Sequence, residues 1–266
     1  MTSERVTEIE VAGARGGYLD EGTGPTLVLL VTPFVTAAMY YPARVALARR
    51  FRVITVELPG TAGHQVGGRA WLMSEYAAWV AGFLERMGLE DVTLVGHSNS
   101  GAIAMLTGIR APGRLRGVVL ANTIGADGSR SFADVLAGLA VCAPLEMRYA
   151  LRLMPRFAYN MWFHTRNFFK QFVESVRRDL RPQARTLRVP TLVAWGALDF
   201  VMPLSCATTL MRRLPDAELY VAARGSHDWL AELPEEFAGA VEGFWGRVGM
   251  RRERPVPGDA ARKRAG

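Results

Sequence analysis

The strongest chemical signal in the chain is Gly96-His97-Ser98-Asn99-Ser100. It follows an apolar run and opens a stretch of helical character. A serine on so sharp a strand-to-helix turn is held in strained backbone angles. Strand and helix pass close together there, so small residues are needed two places before the serine and two after. Gly96 meets the first need. Ser100 meets the second less well than glycine would, with Gly101 directly after it. The turn lifts the Ser98 hydroxyl above the sheet. It also aims a helix N-terminus, with its positive potential, at any oxyanion that forms. The plainer alternative is a Gly/Ser-rich connection, and the flanking strand and helix argue against it.

Serine at its free pKa is a poor nucleophile and needs a base, usually histidine. The chain has four histidines. His97 adjoins Ser98, and its side chain is expected to point elsewhere. His64 lies in the loop after Glu57-Leu58-Pro59-Gly60, and His164 in a region without strand signals. His227, in Arg224-Gly225-Ser226-His227-Asp228-Trp229, follows the last predicted strand. Parallel sheets place ligands at the carboxyl edge of their strands, where Ser98 and His227 are both expected. A surface-loop histidine with no role is the alternative. The base needs an anion to fix its tautomer and stabilise the imidazolium. Asp199, in Gly196-Ala197-Leu198-Asp199-Phe200-Val201-Met202-Pro203, follows another strand at the same edge. Its alternative role is capping the helix expected near Pro203. Asp127 is the second candidate for the acid, and Asp228 would have to fold back awkwardly onto its neighbour.

Strands alternating with helices must position these groups, which points to a mostly parallel sheet covered on both faces. Thr7 to Val11 and Gly17 to Asp20 are short strands of a hairpin. Leu27 to Val31 is apolar throughout, as a doubly buried central strand would be. A helix over Ala37 to Arg49 and a strand over Phe51 to Val56 follow. Ser74 caps a helix to about Met87, closed by Gly88. Val92 to Val95 is a strand, Ala102 to Ile109 a helix, and Leu115 to Ala121 a strand. The alternation lapses from about Gly125 to Arg188, a stretch rich in Met and aromatic residues. It resumes with a strand over Pro190 to Trp195, a helix over Leu204 to Arg213, a strand over Glu218 to Ala222 and a helix over Pro234 to Val248.

The 266 residues suffice for one large domain. Half are hydrophobic and 21% charged, so a sizeable core can form. The polar start lacks the apolar run of a secretory signal, and the apolar run from Thr26 to Val31 is too short to span a bilayer. A cytoplasmic location is expected. Two cysteines, Cys142 and Cys206, make no disulfide framework, and no Cys or His spacing suggests a metal site. The formal charge is +7, and residues 251–266 hold six bases and two acids of it. That end reads as a solvated tail, too poor in aromatic residues for a nucleic-acid arm.

Together these segments resemble the α/β-hydrolase superfamily, in particular its small bacterial esterase-like and carbon–carbon-bond hydrolase branch. The likeness runs from about Gly17 to Val248. It is specific at Glu57-Leu58-Pro59-Gly60 (relatives usually carry Asp first), at the Gly96–Gly101 elbow, at Gly196–Pro203 and at Gly225-Ser226-His227. The resemblance implies an α/β-hydrolase fold, with a mostly parallel central sheet flanked by helices and a small helical cap insertion. Residues 1–124 and 189–249 would form the core, 125–188 the cap over the pocket, and 250–266 a basic flexible tail. It implies a triad of Ser98, Asp199 and His227. One departure matters. Relatives carry His-Gly-X after the first central strand, and the amide of X donates to the oxyanion. In the simplest register the residues here are Val31-Thr32-Pro33, and proline has no N–H. The resemblance implies that the other donor, the Asn99 amide, remains, and losing one donor typically costs on the order of 10² to 10³ in rate. The Phe34 amide in a shifted loop, the Thr32 hydroxyl, or a chemistry other than acyl hydrolysis would each resolve the departure.

Most Met and aromatic residues of 125–188 are expected to pack that insertion onto the core. A minority would line an apolar pocket. A hydrophobic ester, lactone, thioester or ketone-bearing substrate is therefore expected, with Phe34, Trp162, Phe200 and Trp229 near it. No cofactor or metal, no nucleic-acid partner and no membrane partner are expected. The leading reading is a serine hydrolase. Its rivals are a lyase or cyclase using His227 as general base, and a non-catalytic ligand sensor.

Overall fold

The computed structural model describes residues 6–61, 64, 70–126, 131–145 and 147–253. Its first strands, β1 (Thr7–Val11) and β2 (Ala14–Glu21), form an antiparallel hairpin. Only Ala12 and Gly13 lie between them, both at positive φ, as a two-residue hairpin turn demands. The second strand therefore begins before Gly17, where the sequence suggested it.

Next come β3 (Thr26–Leu30), α1 (Tyr41–Ala48), β4 (Arg52–Glu57), α2 (Met73–Arg86), β5 (Val92–His97), α3 (Asn99–Arg110) and β6 (Leu115–Ala121). The single helix expected over Ala37 to Arg49 is divided. Ala37–Tyr40 is a 3-10 turn, and Pro42 enters the first turn of α1, where its missing N–H costs nothing. Ser74 does not cap α2, which starts one residue earlier. There the Glu75 carboxylate accepts the Leu72 N–H at 2.8 Å.

Among the described residues, four helices lie between β6 and the next strand: α4 (Phe132–Leu145), α5 (Met147–Phe163), α6 (Thr165–Arg177) and α7 (Arg181–Ala184). Then follow β7 (Thr191–Gly196), α8 (Leu204–Met211), β8 (Ala217–Ala222), α9 (Trp229–Glu232) and α10 (Pro234–Glu253). The last helix runs past residue 250, where the tail was expected to begin. Residues 254–266 lie outside the described residues.

The eight strands form one sheet in the order β1-β2-β4-β3-β5-β6-β7-β8. From β4 to β8 every neighbouring pair is parallel, and β2 joins β4 antiparallel. The continuous apolar runs serve two cores. Val28 and Leu30 pack with α2 and α3 on one face, and Leu27 and Leu29 with α1 and α10 on the other. Because the strands run in parallel, the segments after β3, β5, β6, β7 and β8 all emerge at one edge.

Candidate active site

Ser98 stands between β5 and α3 with φ 54° and ψ −119°, a backbone conformation that L-residues rarely occupy. Surrounding contacts hold it there. A Cβ on Gly96 would lie 2.2 Å from the Ser100 carbonyl oxygen, so only glycine fits. The close approach expected at the second small position falls on Gly101, where a Cβ would meet Thr123 Oγ1 at 2.4 Å. Ser100 fastens the turn instead. Its hydroxyl accepts the His97 N–H at 3.0 Å and lies 2.8 Å from the Leu30 carbonyl and 2.9 Å from that of His97. The Ser98 N–H donates to Ala121 O at 2.9 Å.

His227, in the loop after β8, points Nε2 at Ser98 Oγ, 3.1 Å away. Its Nδ1 lies 2.9 Å from Asp199 Oδ2. A carboxylate only accepts, so Nδ1 carries the proton and Nε2 presents a lone pair to the serine. Asp199 is buried, and Oδ1 accepts the Val201 and Met202 N–H groups, each at 2.8 Å. Those bonds close a turn ahead of α8, whose N-cap is Pro203, so Asp199 does not cap that helix. Asp228 turns away, with Oδ1 3.8 Å from His97 Nε2. Asp127 lies outside the described residues.

Around these side chains Asn122 and Tyr40 escaped the sequence reading, which gave His97 only a side chain pointing elsewhere. Asn122 follows β6 at the same sheet edge with φ 44°. Its amide nitrogen donates to Asp199 Oδ2, and its oxygen accepts Trp229 Nε1–H at 2.8 Å. Asking which polar residue ends each parallel strand would have found it. His97 is wholly enclosed. Its Nε2–H donates to the His227 carbonyl at 2.9 Å, and the Tyr40 hydroxyl donates to Nδ1 at 3.3 Å. Burial, reinforced by the neighbouring His227, pushes its pKa down to about 3, so the ring stays neutral. Burial also raises the Tyr40 pKa, which keeps that hydroxyl a donor.

After β3, the Val35 N–H bonds to Thr32 O at 3.2 Å. This closes a turn with Pro33 in its second place, where a fixed φ is favourable. Phe34 takes the third place, and no hydrogen bond from its N–H occurs among the described residues. Thr32 Oγ1 is buried without a partner among the described residues. The Phe34 ring packs edge-on to Phe168, centroids 5.2 Å apart, and its carbonyl accepts Asn160 Nδ2 at 3.0 Å. Beside the nucleophile, Asn99 Nδ2 donates to Ser175 Oγ of α6 at 2.8 Å. Helices α5 and α6 are thereby tied to the turns on either side of Ser98.

Two of the expected pocket residues lie elsewhere. Trp229 is fully buried on the α1 and α10 side of the sheet, stacked on Tyr220, because its indole N–H is spent on Asn122. Trp162 is 77% exposed, since α5 turns Asn160 inward instead. Phe200 is half-exposed beside Asp199. Cys142 and Cys206 are free and buried. Among the described residues no cluster of His, Cys, Asp or Glu could hold a metal, and no helix is long and apolar enough to cross a membrane.

Comparison with known proteins bears on the family and the fold. The sequence model of the alpha/beta hydrolase family matches residues 27–240. RutD of Azorhizobium caulinodans is 28% identical over 270 residues, which cover 88% of this chain and 98% of that protein. The 2-hydroxymuconate semialdehyde hydrolase of Pseudomonas putida is 27% identical over 265 residues, covering 89% and 92%. In fold, a meta-cleavage product hydrolase from Pseudomonas fluorescens IP01 superposes with a TM-score of 0.77 at 21% identity, covering 91% of this chain and 98% of that one.

Proposed function

The chain belongs to the alpha/beta hydrolase family, and on that premise we propose that it is a serine hydrolase acting on a small hydrophobic ester, lactone, thioester or related carbonyl compound. One observation carries the reading: an unbroken hydrogen-bond chain from Ser98 Oγ through His227 to a buried, fully bonded Asp199.

In this mechanism Ser98 Oγ attacks the substrate carbonyl while His227 Nε2 takes its proton. Asp199 holds the ring and stabilises the imidazolium. His227 then returns the proton to the leaving group. Water attacks the acyl-enzyme by the same route, releasing the acid and restoring Ser98. The oxyanion is held by the Asn99 amide at the start of α3 and by the Phe34 amide. The turn at Thr32–Val35 supports that second role, since it leaves the Phe34 N–H unpaired while Pro33 takes a place that needs no donor. The helical stretch from 125 to 188 acts as a cap, and the Phe34–Phe157–Phe168 ring cluster forms part of the apolar surface next to the nucleophile.

The test is hydrolysis of a medium-chain p-nitrophenyl ester. Ser98→Ala is expected to abolish turnover, and His227→Ala to lower kcat by about 10⁴ or more. Pro33 alone motivates the non-hydrolytic lyase or cyclase. That reading requires Ser98→Ala to keep most activity on the true substrate while His227→Ala loses it.

A further inference from the structure

The turn after β3 is held from two sides. The sheet pins its ends: the Val31 N–H donates to Val56 O at 3.0 Å, and the Ala37 N–H to the buried Glu57 carboxylate at 2.7 Å. Between those anchors, the bond that closes the Thr32–Val35 turn is 3.2 Å long. Pro33 has no N–H to add. A second grip comes from α5, where Asn160 Nδ2 donates to the Phe34 carbonyl at 3.0 Å. One turn earlier on the same helix face, the Phe157 ring meets the Phe34 ring with centroids 6.3 Å apart, and Phe168 of α6 packs edge-on to both.

Asn160 is 1% exposed, whereas Ala158, Tyr159, Met161 and Trp162 beside it on α5 face outward. A buried amide costs stability unless its hydrogen bonds are made, and an apolar side chain of that size would pack there without the cost. A donor at this place therefore serves the carbonyl it meets. That carbonyl and the Phe34 N–H belong to the peptide planes on either side of one Cα. Phe34 keeps φ negative, which rules out the flipped middle peptide of a type II turn. Holding the Phe34 carbonyl fixes ψ of that residue, keeps the turn closed and so keeps the N–H in its direction. The other oxyanion amide needs no such support, because Asn99 is the first residue of α3.

We propose that Asn160 is a positioning residue of the oxyanion hole: through the Phe34 carbonyl, α5 sets the direction in which the Phe34 N–H meets the oxyanion. This role rests on the serine-hydrolase reading above and on the Phe34 amide as its second donor. It gives the helical insertion a part in the chemistry besides covering the pocket. Asn160 acts through the turn, so its effect falls on the rate and not on substrate binding.

Steady-state hydrolysis of a medium-chain p-nitrophenyl ester by the full chain tests it, together with inhibition by an aryl trifluoromethyl ketone. Ser98 Oγ adds to the ketone carbon while His227 takes the serine proton, which leaves an oxyanion on the former carbonyl oxygen. Asn160→Leu removes the donor and keeps the volume. Asn160→Asp keeps the shape and turns an acceptor towards the Phe34 carbonyl. Both are expected to lower kcat by about tenfold to a hundredfold, part of the loss on the order of 10² to 10³ that a whole donor carries. KM is expected to stay within about twofold. The inhibition constant of the ketone is expected to rise by the factor by which kcat/KM falls, since both read the oxyanion. Thermal melts check that each variant folds. Folded variants with the wild-type kcat overturn the proposal. So does a rise in KM at unchanged kcat, which makes Asn160 part of the pocket wall. A kcat loss in Thr32→Val that the Asn160 variants lack also overturns it and gives the second donor to the Thr32 hydroxyl. Wild-type protein that neither hydrolyses the ester nor binds the ketone refutes the serine-hydrolase reading itself, and Asn160 then has no oxyanion to serve.

Discussion

The carboxyl edge of the sheet and the outer helices α5 and α6 treat polar and apolar groups in opposite ways. At the edge, the buried polar atoms of Asp199, His227 and His97 are bonded, while Thr32 Oγ1 and Asn99 Oδ1 have no partner among the described residues. Asp199 receives bonds from two backbone amides, His227 and Asn122, and the ring nitrogens of His97 and His227 each have an assigned partner. On α6 the amides are inside and Phe169 is outside. Pairing of this kind fixes atoms to within the tolerance that chemistry needs. Phe169 reaches the packing only at the edge of the buried Phe168 ring, with centroids 5.6 Å apart. The first region is therefore expected to respond to substitution in rate, and the outer face of α6 to respond little.

The largest contrast concerns Asp199→Asn. The substitution keeps the shape and removes the anion, so kcat is expected to fall by about 10⁴ with a near-normal melting temperature. Retained activity would mean that the edge is merely structural. Gly96→Ala follows, since its Cβ would run into the Ser100 backbone. A loss of about 3 kcal/mol in urea unfolding is expected, together with lost turnover. Asn122→Ala removes one of the bonds to the Asp199 carboxylate. A fall of about tenfold to a hundredfold in kcat, with KM little changed, would place Asn122 among the groups that hold the acid.

The buried His97 supplies a pH test. Its folded-state pKa lies near 3, below the unfolded value, so between those values the unfolded chain binds the extra proton. Stability is then intact above about pH 6.5 and declines as pH falls towards 3. The loss between pH 7 and pH 5 from this group is about 2 kcal/mol. His97→Gln is expected to flatten that part of the stability curve in urea titrations, whatever it does at pH 7. The smallest effect belongs to the outer face. Phe169→Ser is expected to change stability by less than about 0.5 kcal/mol, whereas Asn167→Leu, which strands the Gly60 carbonyl and leaves Tyr76 Oη only its bond to the Pro59 carbonyl, costs about 1–3 kcal/mol. The reverse order would mean that α6 is packed the ordinary way round.

The sheet was legible in the sequence because uninterrupted apolar runs such as Leu27–Leu30 have few other uses. The Ser98 turn was legible because Gly96, a serine and a following helix occur together for a steric reason. His227 and Asp199 could be named because each directly follows a strand at the shared edge. Less was readable where partners are distant in the chain. Asn122, Tyr40 and Ser175 are ordinary polar residues until the fold brings them to Asp199, His97 and Asn99. Trp229 was placed at the ligand because it neighbours His227, yet the start of α9 turns it beneath the sheet. Trp162 was placed inward because it is aromatic, and helix phase turned it outward. Pro33 looked like a lost oxyanion donor; its place in the Thr32–Val35 turn moves the question to the next amide.

The central claim is that Ser98 is the nucleophile, and fluorophosphonate labelling followed by peptide mapping tests it most directly. The probe is expected to attach to the peptide containing Ser98 in stoichiometric yield, and to fail with Ser98→Ala or with wild-type protein unfolded in urea. A folded protein that resists the probe, or carries it on another residue, would contradict the account.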